Sequence, residues 1–235
     1  MTVAALQETF EALLAARVGP EAARWLESAR AAAAASSLDP MLALYSAAAI
    51  RVGRAPLALS AAEHALLAGL LPGLSFERWT IDDVARALLL MARREAGRTD
   101  DDFVADATAC FEHADAREQQ SWLRAVSMWP ESARFLPTVI DACRTNIVPV
   151  FESIACENPY PGRHFPERNF NQVILKALFN SIALSRVVGL AGRINPELSR
   201  MARDYAAERT AAGRSVPADI AMAIGADAGG QEQPS

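Results

Sequence analysis

The sequence predicts an all-α protein of stacked antiparallel helical hairpins, arranged as a compact bundle or a HEAT-like solenoid. Three observations carry that expectation. Apolar residues make up 51% of the chain but aromatics only 7%, with alanine supplying much of the apolar share. Alanine is the best helix former and is depleted in strands. Apolar positions recur at helical spacing along most of the chain, with no β-branched run suited to a central strand. Residues that cap helix N-termini repeatedly precede these apolar stripes.

Leu6, Phe10, Leu13 and Leu14 follow i, i+4, i+7 and i+8, one buried face of a first helix. Pro20 suits the opening position of a second, with Trp25, Leu26, Ala29 and Ala33 as its stripe. Ser37 or Asp39, then Pro40, starts a third helix through Leu44, Tyr45 and Ala48, and residues 52–56 form a connection. Ser60 and Glu63 have capping-box spacing ahead of a fourth helix, which Pro72-Gly73 stops. Thr80 with Asp83 repeats the signal before Ile81, Val84, Ala85 and Leu88; Thr99 with Asp102 does so before Phe103, Ala107, Cys110 and Phe111. First-turn carboxylates also suit the positive end of the helix dipole.

Trp122, Leu123 and Val126 predict a helix that ends near Trp129-Pro130. Phe135, Leu136, Val139, Ile140 and Cys143 mark the next, and Ile147, Val150, Phe151 and Ile154 a short one. Asn158-Pro159-Tyr160-Pro161-Gly162 reads as a turn. Helix resumes near residues 166–169 and runs through Val173, Ile174, Ala177 and Leu178. Asn195-Pro196 pairs a cap with a first-position proline ahead of Leu198, Met201, Ala202 and Tyr205, and Gly213 and Pro217 close that helix. The expected organisation is one helical domain over residues 1–220, with a small, polar, disordered tail over 221–235. Helix pairs return without a repeated sequence pattern, which weakens the case for a repeat array.

The formal net charge of −5, with no basic run, lacks the electrostatic footprint of a nucleic-acid binder. Arg93 and Arg94, balanced by Glu95 and Asp100, Asp101 and Asp102, read as a solvated charged face. Cys110, Cys143 and Cys156 are odd in number and outside any C-x-x-C pair, so reduced, mostly buried thiols in a cytoplasmic protein are expected. Glu8 and the missing basic start argue against a secretory signal. No apolar run approaches the ~18 residues of a membrane span.

His64, His113 and His164 fall in neither H-x-x-x-H nor H-E-x-x-H, so no metal site and no cofactor are expected. His64 and His113 read as exposed. No glycine-rich phosphate loop and no G-x-S-x-G is present. Cys156 and His164 could be imagined as a nucleophile pair, but a cysteine ending an apolar helix reads better as core.

The segment from Cys156 to Phe179 departs from the alanine-rich remainder. It offers Tyr160, Arg163, His164, Asn169, Asn171, Gln172 and Lys176 as candidate ligand-binding residues. Asn169, Gln172 and Lys176 share one helix face at i, i+3 and i+7, with Asn171 on another. Amides and a lysine beside an aromatic turn suit a polar ligand or a carboxylate. The same groups equally suit the satisfaction of buried backbone.

That segment also carries a resemblance. Asn158–Pro161, Phe165, Asn171-Gln172 and Leu175–Phe179 resemble, in order, a pattern of the EboA family. Residues 195–214 form a second matching stretch and 135–146 a weaker third, so the signature is strongest over 135–214. Phe170 stands where the pattern has a tryptophan or other aromatic, and Arg209-Thr210 where it has an aromatic-basic pair. The resemblance implies a bacterial gene cluster that makes or exports a secondary metabolite, and it assigns no catalytic residue. The expected role is a non-catalytic accessory protein that binds a pathway enzyme or a small-molecule intermediate. Two alternatives stand beside it. One is an enzyme acting on a small polar or phosphorylated metabolite through a pocket around residues 158–176; the other is a structural homodimer.

Overall fold

The computed structural model describes residues 3–225, and among these the chain is all-α, with thirteen α-helices and no strand. None of these helices is long and apolar enough to cross a membrane. The chain folds as two compact units, Met1–Ile154 and Ala155–Ser235.

The first unit contains α1 (Val3–Ala15), α2 (Pro20–Ala35), α3 (Leu38–Val52), α4 (Ala61–Leu70), α5 (Ile81–Glu95), α6 (Asp100–Glu112), α7 (Ala116–Ala125), α8 (Leu136–Ala142) and α9 (Val148–Ala155), at whose last residue the second unit begins. Leu6, Phe10, Leu13 and Leu14 are the buried residues of α1, as their spacing requires. Ser60 with Glu63 and Thr80 with Asp83 form reciprocal capping boxes on α4 and α5. Thr99 caps α6 by accepting from the Asp102 N–H at 3.1 Å.

Helix α5 is the axis of this unit. It packs on α1, α2, α3 and α7, and every residue from Ile81 to Arg93 is buried. A helix with neighbours all round is normally apolar all round, yet α5 carries Asp82, Asp83, Arg86 and Arg93 into the interior, each at most 2% exposed. Each is satisfied there. Arg86 Nη1 donates to Asp82 Oδ2 at 2.7 Å one turn away, and Arg86 Nε donates to the Tyr45 carbonyl of α3 at 3.1 Å. Asp83 accepts from Ser121 Oγ and Arg124 Nη1 of α7, at 2.5 and 2.9 Å.

Arg93 differs from the solvated face expected for it. Its Nε donates to Asp106 of α6 at 2.9 Å, and its Nη1 to the carbonyls of Ala33 and Ser36 at the end of α2. Arg94 does reach Asp100, and it also pairs with the buried Glu131 at 2.6 Å. Burial, with Asp106 adding to it, pushes the Cys110 thiol up to about 12. His64 and His113 are exposed.

The second unit contains α10 (Tyr160–His164), α11 (Glu167–Phe179), α12 (Pro196–Ala211) and α13 (Ala221–Ile224). Two expectations are corrected here. The Asn158–Gly162 cluster forms a turn of helix: Asn158 Oδ1 accepts from the Tyr160 N–H at 3.0 Å, and Pro161 sits in the first turn, where its missing N–H is harmless. The tail expected from residue 221 begins with α13, because Ala223 is fully buried and Ser199 Oγ of α12 donates to the Ile224 carbonyl at 2.7 Å. The rest of that tail, 226–235, lies outside the described residues.

Two outcomes follow. Arg86→Met leaves Asp82 buried without its counter-charge and should lower stability by about 3–5 kcal/mol, read by urea denaturation followed by circular dichroism. Glu63 is held at a pKa of about 2, first by the Arg17 side chain and then by the Ser60 N–H and hydroxyl. Its folded pKa lies below the unfolded value. The stabilisation is therefore complete above about pH 4.5 and is lost as pH falls through about 2. The stability gap between the parent and Glu63→Gln should narrow across that window and stay constant above it.

Candidate functional site

The seven candidate residues are distributed over three places in the second unit. Tyr160 and His164 belong to an aromatic stack. The Tyr160 ring is fully buried, 4.6 Å from the His164 ring and 6.1 Å, edge-on, from Phe165. Burial and then the Arg163 cation lower the His164 pKa below its ordinary value, so its neutral form is favoured. Arg163 itself is exposed on the outside of α10.

Asn169, Gln172 and Lys176 share one face of α11, as their spacing predicts; Gln172 is exposed and the other two half-buried. Asn171 points the other way and is 1% exposed. It exchanges two hydrogen bonds with Asn195, at 3.1 and 2.9 Å. Asn195 in turn caps α12 by accepting from the Leu198 N–H at 2.8 Å. The Asn171 amide is thus committed to holding a helix cap.

Arg193 was not singled out by the sequence, and it organises this region. Its Nη1 and Nη2 donate to the carbonyls of Gly162 and Phe165, both at 2.7 Å, closing the open end of α10. Its guanidinium carbon lies 4.6 Å from the Phe170 ring centroid. Gly162 allows a close approach of main chains, because a Cβ there would stand 3.0 Å from the Val188 carbonyl oxygen and would press on it. Glu157, at a left-handed φ of 53°, is held by its N–H to the Arg186 carbonyl at 2.8 Å and by a two-point pairing with the Arg186 guanidinium at 2.6 and 3.0 Å.

Two clefts lie at the C-terminal ends of α11 and α12, and neither is lined by any of the seven candidates. Both helices end in the same way. After α11, Ile182 N–H reaches the Ala177 carbonyl at 2.9 Å and Ser181 N–H the Leu178 carbonyl at 3.1 Å. After α12, Arg214 N–H reaches the Arg209 carbonyl at 2.9 Å and Gly213 N–H the Thr210 carbonyl at 3.0 Å. This is the Schellman pattern, which needs a left-handed residue just past the helix. Gly213 supplies it at φ 66°. Ser181 supplies it at φ 57°, where a Cβ is disfavoured.

The first cleft, about 450 Å³, is lined by Ser181, Ile182, Ser185, Arg209, Ser215 and Asp219 among others. Asp219 Oδ2 accepts from the Leu184 N–H at 2.5 Å and so pins the cleft wall. The second, about 400 Å³, is lined by Phe179, Tyr205, Glu208, Arg209, Ala212 and Arg214. Arg209 belongs to both. Its Nε donates to the Ser215 carbonyl at 2.9 Å, and the Phe179 and Tyr205 rings stack at 4.7 Å. Volumes of this size suit small ligands, and the lining combines apolar walls with a few polar groups. Sequence reasoning placed Tyr205 in an apolar stripe and noted Arg209 only for its departure from a pattern. The available signal was their i, i+4 spacing, which makes them neighbours on α12.

Among the described residues, no group of three or more His, Cys, Asp or Glu side chains could hold a metal ion. Asn171→Ala should lower stability by about 1–2 kcal/mol through loss of the amide pair and slackening of the α12 cap. Gln172→Ala, one position on but facing outward, should stay within about 0.5 kcal/mol. Thermal denaturation of the two variants side by side checks this.

No curated protein and no solved structure matches the chain. The family model described as "Metabolite traffic protein EboA" matches residues 6–225. That span takes in α12 and both clefts as well as the segment that carries the sequence resemblance, and the chain belongs to the EboA family.

Proposed function

We propose that this protein is a non-catalytic accessory protein of metabolite traffic, which binds a small polar intermediate and passes it to or from an enzyme of the same bacterial pathway. The setting proposed is the cytoplasm and a secondary-metabolite gene cluster. One observation carries the reading: the paired clefts at the ends of α11 and α12, which share the Arg209 guanidinium. Their polar lining consists largely of groups that hold a ligand by hydrogen bonding, namely arginine, serine and tyrosine. Their walls are set by main-chain bonds at helix ends, so little ordering is left to be done on binding. The family description, a metabolite traffic protein, agrees with handling a molecule in preference to converting it.

Native mass spectrometry of the protein purified gently from its own host tests this. The expected result is a retained small-molecule mass. That molecule, released and incubated again with fresh protein, should be recovered unchanged. Absence of any retained molecule, or its conversion on re-incubation, overturns the reading. A companion spectrum should show a pathway enzyme at stoichiometric ratio when the host extract is cross-linked before purification.

A further inference from the structure

Among the described residues, Arg209 finds a partner for one of its three nitrogens. Its Nε is fixed on the Ser215 carbonyl, and its guanidinium carbon lies 5.8 Å from the Tyr205 ring centroid. Its Nη1 and Nη2 have no hydrogen-bond or ion-pair partner among the described residues. Other arginines of the same unit are committed differently: Arg186 grips both oxygens of Glu157, and Arg193 places both terminal nitrogens on carbonyls. A guanidinium whose plane is set by Nε, with its outer N–H groups unspent, is preorganised for a two-oxygen acceptor.

A second observation points to the same place. Phe179, a large apolar residue, is left 64% exposed, and its ring stacks on that of the buried Tyr205 at 4.7 Å. Tyr205 and Arg209 line the second cleft together with Phe179. The charged groups of that cleft are Arg209 and Arg214 against Glu208, which leaves one net positive charge. On the other side of Arg209 the first cleft contains Asp219, which cancels it. Both clefts lie at helix C-termini, so the side chains decide between them, and the Tyr205 side is the one with positive charge to hold an anion.

We propose that the cleft between Phe179, Tyr205, Arg209 and Arg214 binds a small monocarboxylate with a flat apolar body. The carboxylate takes the outer edge of Arg209 within the field of Arg214. The body lies against the Phe179 ring, which stacks on Tyr205. Glu208 disfavours a second negative charge. This inference rests on the ligand-binding reading above and narrows it to one cleft and one chemical class.

The test titrates phenylacetate, its neutral analogue phenylacetamide and inorganic phosphate into the full-length protein, followed by amide NMR shifts. Phenylacetate should produce saturable shifts at residue 179 and across 205–214. Phenylacetamide should bind about 10-fold more weakly or worse, having lost the charge-assisted pair, and phosphate should bind more weakly than phenylacetate. Arg209→Gln should weaken phenylacetate binding about 10- to 100-fold, and Phe179→Ala, which removes the exposed ring, about 3- to 10-fold. Far-UV dichroism should be unchanged in both, and Lys176→Ala should bind like the parent. Absence of saturable shifts at the cleft, or phosphate binding as tightly as phenylacetate, overturns the inference. So does a loss of phenylacetate binding in Lys176→Ala that Arg209→Gln does not share. A retained native ligand that survives Arg209→Gln would overturn this cleft while leaving the binding function standing.

Discussion

A carboxylate sealed from water must find its counter-charge inside the protein, and Asp82 finds it in Arg86 one turn along α5. Much of the first unit is arranged around that pair. Arg86 also reaches the Tyr45 carbonyl of α3 and Ser121 of α7. Seven residues further along, Arg93 does the same for the end of α2 and for Asp106 of α6. Alanine and leucine around a helix leave its rotation about its own axis weakly specified, since one small apolar face packs much like another. The buried charges remove that freedom. Only one rotation of α5 presents each arginine to its acceptors, and any other strands a charge in the interior at a cost of several kcal/mol.

The second unit is held together by a different device. Two of its four helices, α10 and α13, are little more than one turn long, and its connections are pinned by polar contacts at helix ends. Asn171 and Asn195 hold the start of α12, Arg193 the end of α10, Asp219 the start of the turn at Leu184, and Ser199 the end of α13. The consequence for the clefts is that their walls are main chain fixed by hydrogen bonds. The chemistry then depends on the few side chains that project from those walls, above all Arg209, Tyr205 and Phe179.

Helix faces were legible in the sequence because they depend on neighbours a turn apart. The α1 stripe and the Ser60–Glu63 and Thr80–Asp83 caps follow from spacing alone. The role of Arg93 was not legible. Its local neighbours include Glu95 and a run of aspartates, which looks like a surface, whereas a decisive acceptor is the Ala33 carbonyl 60 residues away. The turn residues of 158–162 were read correctly as chain-breaking, but Asn158 and Pro161 also start helices, and here they do. Composition drew attention to the polar stretch around Asn171 without separating an amide that caps a helix from one that meets a ligand. For Tyr205 and Arg209 the spacing was visible, but the exposed Phe179 ring stacked on Tyr205 and an unspent guanidinium edge are properties of three-dimensional surroundings.

The division into two units has a spectroscopic consequence. All four tryptophans, Trp25, Trp79, Trp122 and Trp129, lie in the unit that ends at Ile154, and three of them are buried. The unit that contains both clefts has no indole at all. Indole emission during denaturation thus reports on the α5 assembly and is blind to the melting of α11 and α12, which far-UV dichroism registers. Overlaying the two signals separates the stability of the charged core from that of the ligand-facing helices, with no label and no truncation of the chain.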